Sequence, residues 1–257
     1  MKKLVGFDLD GTLTASKSPL TDRMSSLLDK LLDEFQVCVM SGGKFTQFES
    51  QLLANLRVEP KKLKKLHLMP TCGTRYYVYE ENNGWKKVYA EDFSKDEKNR
   101  ILAVLNEGID HFSLREKKPW GEIVEDRGSQ ITFSALGQDI VAVLGDEGVR
   151  RKKAWDPSAT KRTKLQNYVM DRLPDFEIRL GGETSIDITK PGIDKAYGIH
   201  KLIEMLGIKK EEILFIGDRL EEGGNDYPVK AMGVDSIAVS DWEDTALIIE
   251  AITLVAG

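Results

Sequence analysis

Short apolar runs alternate with helical periodicity at both ends of the chain, and this constrains the fold more than any other feature. Leu4-Val5-Gly6-Phe7 is the kind of run that a strand buried on both faces requires. Gly11 and a polar stretch to Pro19 break it. The next apolar residues fall at Met24, Leu27, Leu28, Leu31, Leu32 and Phe35, which is helical spacing with one polar face, and Thr21 stands where an N-cap belongs. Val37 to Met40 predicts a second buried strand, and Phe45, Phe48, Leu52 and Leu56 predict another helix. Leu66 to Met69 predicts a third strand, stopped by Pro70. The C-terminal end repeats the alternation: a helix through Ile199, Leu202, Ile203 and Leu206, strands at Ile213–Ile216 and Ser236–Val239, and a helix from about Asp241. Strands separated by helices pair in parallel, with helices on both faces. The two ends therefore predict one doubly wound, Rossmann-like α/β sheet.

The middle follows a different rule. Tyr76–Tyr79 and Trp85–Tyr89 flank Asn82-Asn83-Gly84, a hairpin signal. Ile123–Glu125 and Gln130–Ser134 alternate around Arg127-Gly128, and Glu177–Leu180 and Ser185–Ile188 flank a glycine pair. Helical stretches near 95–107 and 160–172 lie between them. The expected organisation is a core built from residues 1–89 and 189–257, interrupted by an α+β insertion over 90–188. Neither an internal repeat nor a low-complexity segment is present.

Composition narrows the function. A hydrophobic share of 41% over 257 residues is enough to bury a sizeable core. The net charge of −5 argues against a life on nucleic-acid phosphates, and the basic runs Lys61–Lys65 and Arg150–Lys153 read as solvated faces. No apolar run approaches the roughly 20 residues of a membrane span. The opening MKKLVGFDLDGT meets acidic residues too early for a signal-peptide core, so a cytoplasmic protein, monomeric or homodimeric, is expected. Two cysteines, Cys38 and Cys72, make neither a disulfide framework nor a zinc cluster, and Cys38 reads as a small buried hydrophobe. Three scattered histidines exclude a histidine-built metal site or a Ser-His-Asp triad, and no G-x-G-x-x-G follows a strand.

What remains is a set of polar strand ends, the place where parallel sheets bind ligands. Phe7-Asp8-Leu9-Asp10-Gly11-Thr12 places Asp8 and Asp10 on the same side of the chain, with Gly11 permitting a tight turn. Two carboxylates that close call for a cation, and oxygen ligands alone favour a hard one, most simply Mg²⁺. Ile216-Gly217-Asp218, followed by Gly223-Gly224-Asn225-Asp226, supplies further oxygen ligands. Ser41-Gly42-Gly43 offers a hydroxyl and backbone N–H groups before a helix, which suits a phosphate.

Asp8-Leu9-Asp10-Gly11-Thr12-Leu13-Thr14 resembles the first motif of the haloacid dehalogenase superfamily of phosphotransferases. Ser41 matches its second motif, Lys195 its third, and Gly217-Asp218 with Gly224-Asn225-Asp226 its fourth. An insertion between motifs two and three marks the subclass with a large α/β cap (subfamily IIB). Within it the chain is most similar to eukaryotic-type phosphomannomutases, through Phe45, Gln51-Leu52, Gly181-Gly182, Ser185-Ile186-Asp187 and Asp194-Lys195. The resemblance implies Asp8 as the nucleophile that carries an aspartyl-phosphate and Asp10 as general acid and base. It implies that Ser41 and Lys195 hold the phosphoryl oxygens. The implied Mg²⁺ ligands are Asp8, the Asp10 carbonyl and Asp218, with Asn225 or Asp226 completing the shell or orienting Lys195.

Over the insertion the chain departs from the mutases, whose caps hold a second phosphate with several arginines. Only Arg127 matches one of them, and Trp120 and Gln138 stand at two others. Ser185 and Asp187 match family residues that contact sugar hydroxyls or phosphate, and Lys17 stands where the mutases have an active-site arginine. The expectation is a Mg²⁺-dependent phosphatase acting on a small phosphorylated metabolite, a sugar phosphate by resemblance. A hexose phosphate mutase is the alternative, and a non-catalytic sugar-phosphate binding module is the rival of a different class.

Overall fold

The computed structural model describes residues 1–256. The chain enters on β1 (Leu4–Asp8) and passes through α1 (Asp22–Glu34), β2 (Gln36–Met40), α2 (Phe45–Gln51) and β3 (Leu66–Met69). A hairpin follows, β4 (Arg75–Glu80) and β5 (Gly84–Ala90). Thr21 caps α1 by accepting the Met24 N–H, as its position predicts. Helix α2 is shorter than its apolar spacing suggests. The Gln51 carbonyl accepts the Leu20 N–H, and the chain tightens into a 3₁₀ turn over Leu53–Asn55.

The next stretch contains α3 (Lys95–His111), β6 (Val124–Asp126), β7 (Gln130–Ser134), α4 (Ile140–Leu144), α5 (Asp146–Trp155), α6 (Thr160–Arg172), β8 (Glu177–Leu180) and β9 (Ser185–Thr189). The chain then returns through α7 (Lys195–Leu206), β10 (Ile213–Gly217), α8 (Tyr227–Ala231), β11 (Asp235–Ala238) and α9 (Trp242–Ala256). Two compact units result: Met1–Ala90 with the chain from Ile193 onward, and Glu91–Gly192. The second boundary falls at Gly192, four residues beyond the strand end expected from sequence.

In the first unit seven strands make one sheet in the order β11-β10-β1-β2-β3-β4-β5. The strands β11 to β3 run parallel, while β3-β4 and β4-β5 pair antiparallel, so the sheet is mixed rather than wholly parallel. Alternate side chains feed opposite faces. Val5, Phe7, Val37 and Val39 join α1, α2 and α9 in one core; Leu4, Cys38, Met40 and Phe215 join α7 and α8 in another. Both faces are thus covered, as the continuous apolar runs require. Register levels Asp8 with Met40 and Phe7 with Ile216, so Asp8, Ser41 and Asp218 leave the sheet at the same edge. Strand β1 lies at the switch point, with connections leaving it on either side.

The second unit is a four-stranded sheet, β6-β7-β9-β8, antiparallel throughout. Ile131, Phe133, Ile186 and Ile188 face a core shared with Ile101, Leu105, Leu165 and Val169 of α3 and α6. The opposite positions, Gln130, Thr132, Ser134, Ser185 and Asp187, give the sheet a polar face. Among the described residues no helix is long and apolar enough to cross a membrane.

Candidate active site

Asp8 ends β1 and is 4% exposed, and Lys195 opens α7 with no exposure at all. The Lys195 Nζ donates to Asp8 Oδ1 at 2.5 Å and to Asp226 Oδ1 at 2.5 Å. Asp226 is equally buried, and its other oxygen accepts the Arg219 N–H at 3.0 Å. Asp226 is thereby held from both sides. Asp218 follows β10, and its carboxylate lies with those of Asp8 and Asp226 inside 4.8 Å. Gly11, at φ +84°, brings the β1 loop against Asp218; a Cβ there would sit 2.6 Å from Asp218 Oδ2. Asn225 is exposed just before α8.

Three carboxylates share one ammonium in this cluster, and the imbalance shows at Asp8 and Asp218. Burial raises the Asp8 carboxyl to about 8, with Asp226 and Asp10 adding to the rise and Lys195 opposing it. Asp218 is raised by burial and by Asp226. Lys195 loses to burial but gains more from Asp8 and Asp226, and ends above its ordinary value. A divalent cation is the group that balances such a set, and an all-oxygen donor set suits a hard ion such as Mg²⁺. The residues present fit it.

Asp10 follows two residues after Asp8, and its carboxylate accepts from the Lys17 backbone N–H at 2.6 Å, Gln47 Nε2 at 2.5 Å and Gln51 Nε2 at 3.2 Å. Lys17 thus reaches Asp10 through its main chain, which its match to a cationic position did not foretell. Ser41 is 4% exposed, and its Oγ accepts the Gly43 N–H at 3.1 Å, so one N–H expected to serve a phosphate serves the serine instead. Gly42 is half-buried between them.

A turn that the sequence did not flag holds this loop. The Thr71 N–H donates to the Gly43 carbonyl, the Cys72 N–H to the Ser41 carbonyl and the Ser41 N–H to the Met69 carbonyl. Thr71, Cys72 and Gly73 are successive left-handed residues at φ 50°, 54° and 84°. That conformation is rare for a β-branched threonine and is found where surrounding structure imposes it. A Cβ on Gly73 would overlap Gly198 Cα, and one on Gly198 would meet the Met40 side chain. The paired glycines let α7 lie flat against the turn, with Lys195 one turn earlier on the same helix.

The remaining candidates lie on the polar face of the second unit. Arg127 Nε donates to Glu125 Oε2 at 2.7 Å, and Nη2 donates to Gln138 Oε1 at 3.4 Å. Asp187 Oδ1 accepts Gln130 Nε2 at 2.8 Å and Thr132 Oγ1 at 2.7 Å, and Ser185 Oγ lies 3.5 Å from Ser134 Oγ. Glu125, Gln130 and Thr132 carry the contacts here, and sequence matching had passed over them.

The family described as haloacid dehalogenase-like hydrolase matches residues 5–229. The phosphomannomutase of Encephalitozoon cuniculi is 27% identical over 254 residues, covering 95% of this chain and 91% of that one. The phosphomannomutase of Saccharomyces cerevisiae is 24% identical, covering 88% of this chain and 84% of its own. Among solved structures, an IMP-nucleotidase of Plasmodium falciparum superposes with a TM-score of 0.68 at 16% identity, over 98% of this chain and 68% of that one. A haloacid dehalogenase-like hydrolase of Bacteroides thetaiotaomicron gives 0.66 at 18% identity, over 98% and 100%.

Proposed function

The chain belongs to the haloacid dehalogenase-like hydrolases, and from that premise we propose that it is a Mg²⁺-dependent phosphatase that cleaves a small phosphate monoester, a sugar phosphate in class, through an aspartyl-phosphate. The observation that carries the proposal is the buried triad Asp8–Lys195–Asp226 at the switch point of the sheet.

An Asp8 oxygen attacks phosphorus while the bond to the leaving oxygen breaks, and Asp10 gives that oxygen its proton. Asp10 then takes a proton from water as the water oxygen attacks phosphorus, and the phosphate leaves Asp8. Lys195 holds Asp8 in place and neutralises phosphoryl charge with Ser41. Asp226 fixes Lys195. Asp8, Asp218 and the Asp10 carbonyl, with Asn225 or Asp226, would hold the cation, which would supply screening between nucleophile and phosphate. Residues 91–192 would select the substrate through Arg127, Ser185 and Asp187, and in the first unit Gly42, beside Ser41, would serve the phosphate.

The choice of phosphatase over mutase rests on Arg127. A mutase must grip a second phosphate, yet this guanidinium already faces Glu125, with side-chain exposures of 13% and 11%. The phosphomannomutase relatives favour a second reading, interconversion of hexose 1- and 6-phosphates. One assay separates them. Phosphate release from hexose monophosphates that needs Mg²⁺ and no added bisphosphate is expected; efficient, bisphosphate-dependent interconversion would overturn the choice.

A further inference from the structure

The two glutamines beneath Asp10 have no assigned work. Gln47 and Gln51 lie four residues apart, on one face of α2. Gln51 is 4% exposed, on a face otherwise occupied by the buried Phe48. Its two N–H groups go to Asp10 Oδ1 and to the Ser18 carbonyl, each at 3.2 Å, and its Oε1 is buried with no hydrogen-bond partner. A carboxylate only accepts, so the amide nitrogen must face Asp10, and the orphaned oxygen is the consequence. An orphaned acceptor costs free energy that an apolar side chain here would avoid. Gln47 takes the other carboxylate oxygen, Oδ2, at 2.5 Å. It reaches there across Gly43, where a Cβ would overlap the Gln47 amide.

We infer that Gln47 and Gln51 are positioning residues for Asp10: each holds one oxygen of its carboxylate, and together with the Lys17 N–H they fix the plane from which Asp10 exchanges protons with the leaving group and with water. Fixing the plane matters because proton transfer falls away steeply with misalignment. The inference rests on the assignment of Asp10 as acid and base, and the test separates the two.

Asp10→Asn, Gln51→Met and Gln47→Met are compared in single-turnover phosphorylation of the full-length enzyme with Mg²⁺. The substrates are glucose 6-phosphate, whose alkoxide needs a proton to leave, and p-nitrophenyl phosphate, whose phenolate does not. Each glutamine variant is expected to slow the alkyl ester about 10- to 100-fold and the aryl ester less than about threefold, with KM changed by less than about twofold. Equal losses on both esters, or no loss on either, overturn the inference. Gln47 is only half-buried, so its variant keeps the test alive if Gln51→Met does not fold. A split between esters in Asp10→Asn that neither glutamine variant shares overturns the clamp alone. No split in Asp10→Asn removes the acid assignment, and the clamp with it.

Discussion

Lys195 and Arg162 are buried cations in the first turns of their helices, one in each unit, and their partners set them apart. Arg162 meets a single carboxylate: its Nε donates to Asp156 Oδ2 at 3.1 Å, and Nη1 goes to the Gly182 carbonyl. Asp156 also accepts the Lys161 and Arg162 backbone N–H groups, so every strong donor finds an acceptor. Burial opposes the Asp156 charge, but those N–H donations and Arg162 outweigh it and hold the carboxyl below its ordinary value. Lys195 instead serves Asp8 and Asp226 with Asp218 close by, and Asp8 is pushed up to about 8. Buried charge alone therefore does not mark chemistry. One region is balanced and stabilises a loop; the other carries an excess of one sign, which a fold retains where a ligand will balance it.

The strongest attack on this comparison is Asp8→Asn. Turnover should fall at least about a thousandfold, which is about 4 kcal/mol of barrier. The melting temperature should hold or rise, because the substitution removes one of three crowded carboxylates. Phosphate-release assays beside thermal melting read both. A clear drop in melting temperature would mean that the cluster is a stabilising network like the one around Arg162.

At Arg162 the signs reverse. Arg162→Met strands Asp156 in the interior and should cost about 3 kcal/mol of stability in urea titrations. Turnover of p-nitrophenyl phosphate by the folded fraction should stay within about twofold of wild type, since the substitution leaves every phosphate-handling residue of the first unit in place. A large rate loss with unchanged stability would show that the balanced pair is functional after all.

Why one of these regions was legible in the sequence and the other was not is a matter of spacing. Asp8 ends an apolar strand and Asp10, Ser41 and Asp218 follow one within two residues, and a parallel sheet brings such ends to one edge; Asp226 was marked by the Gly223-Gly224-Asn225 run before it. Lys195 came only by resemblance, because a lysine opening a helix looks like any solvated one until α7 is packed against Gly73. The glutamines did carry a signal: Gln51 interrupts the apolar face made by Phe48 and Leu52, and a polar residue there needs a partner. Asp156 ends α5, one of two short helices whose limits periodicity cannot set, and Arg162 in the first turn of α6 looks like any solvated arginine until Asp156 is placed beside it. Helix α4 has five residues, and Gly145 at φ +55° separates it from α5. The hairpin β4-β5 was read correctly as a pair, but its docking on β3 as an antiparallel edge depends on register between distant segments.

A third buried group sharpens the contrast by being neutral. His67 on β3 is 4% exposed, with Nδ1 2.7 Å from Tyr76 Oη and Nε2 2.8 Å from Gln36 Oε1. Burial lowers its value from 6.5 to about 4. The folded state therefore binds fewer protons than the unfolded state between those limits. Stability present above about pH 6.5 is lost as the pH falls toward 4, by about 2 kcal/mol at pH 5. His67→Gln should flatten that part of the stability–pH curve relative to wild type. Identical curves for the two proteins would remove His67 from the account.

The smallest expected effect lies at Arg127, whose position between the two extremes makes it the most informative about substrate. It is paired with Glu125, as Arg162 is with Asp156, yet the pair is partly exposed. A guanidinium already paired with a carboxylate has little charge left for a phosphate, and its attraction to a sugar phosphate is on the order of 1 kcal/mol. Arg127→Gln should therefore raise KM for hexose monophosphates by about fivefold, with kcat nearly unchanged. Glu125→Gln releases the guanidinium and should tighten inhibition by a hexose bisphosphate by a similar factor. A mutase would respond differently, because its cap must retain a doubly charged group throughout the reorientation of the intermediate. There, Arg127→Gln would cost about a hundredfold and raise the demand for bisphosphate activator. Steady-state kinetics of the two variants against mono- and bisphosphates place the enzyme on one side or the other.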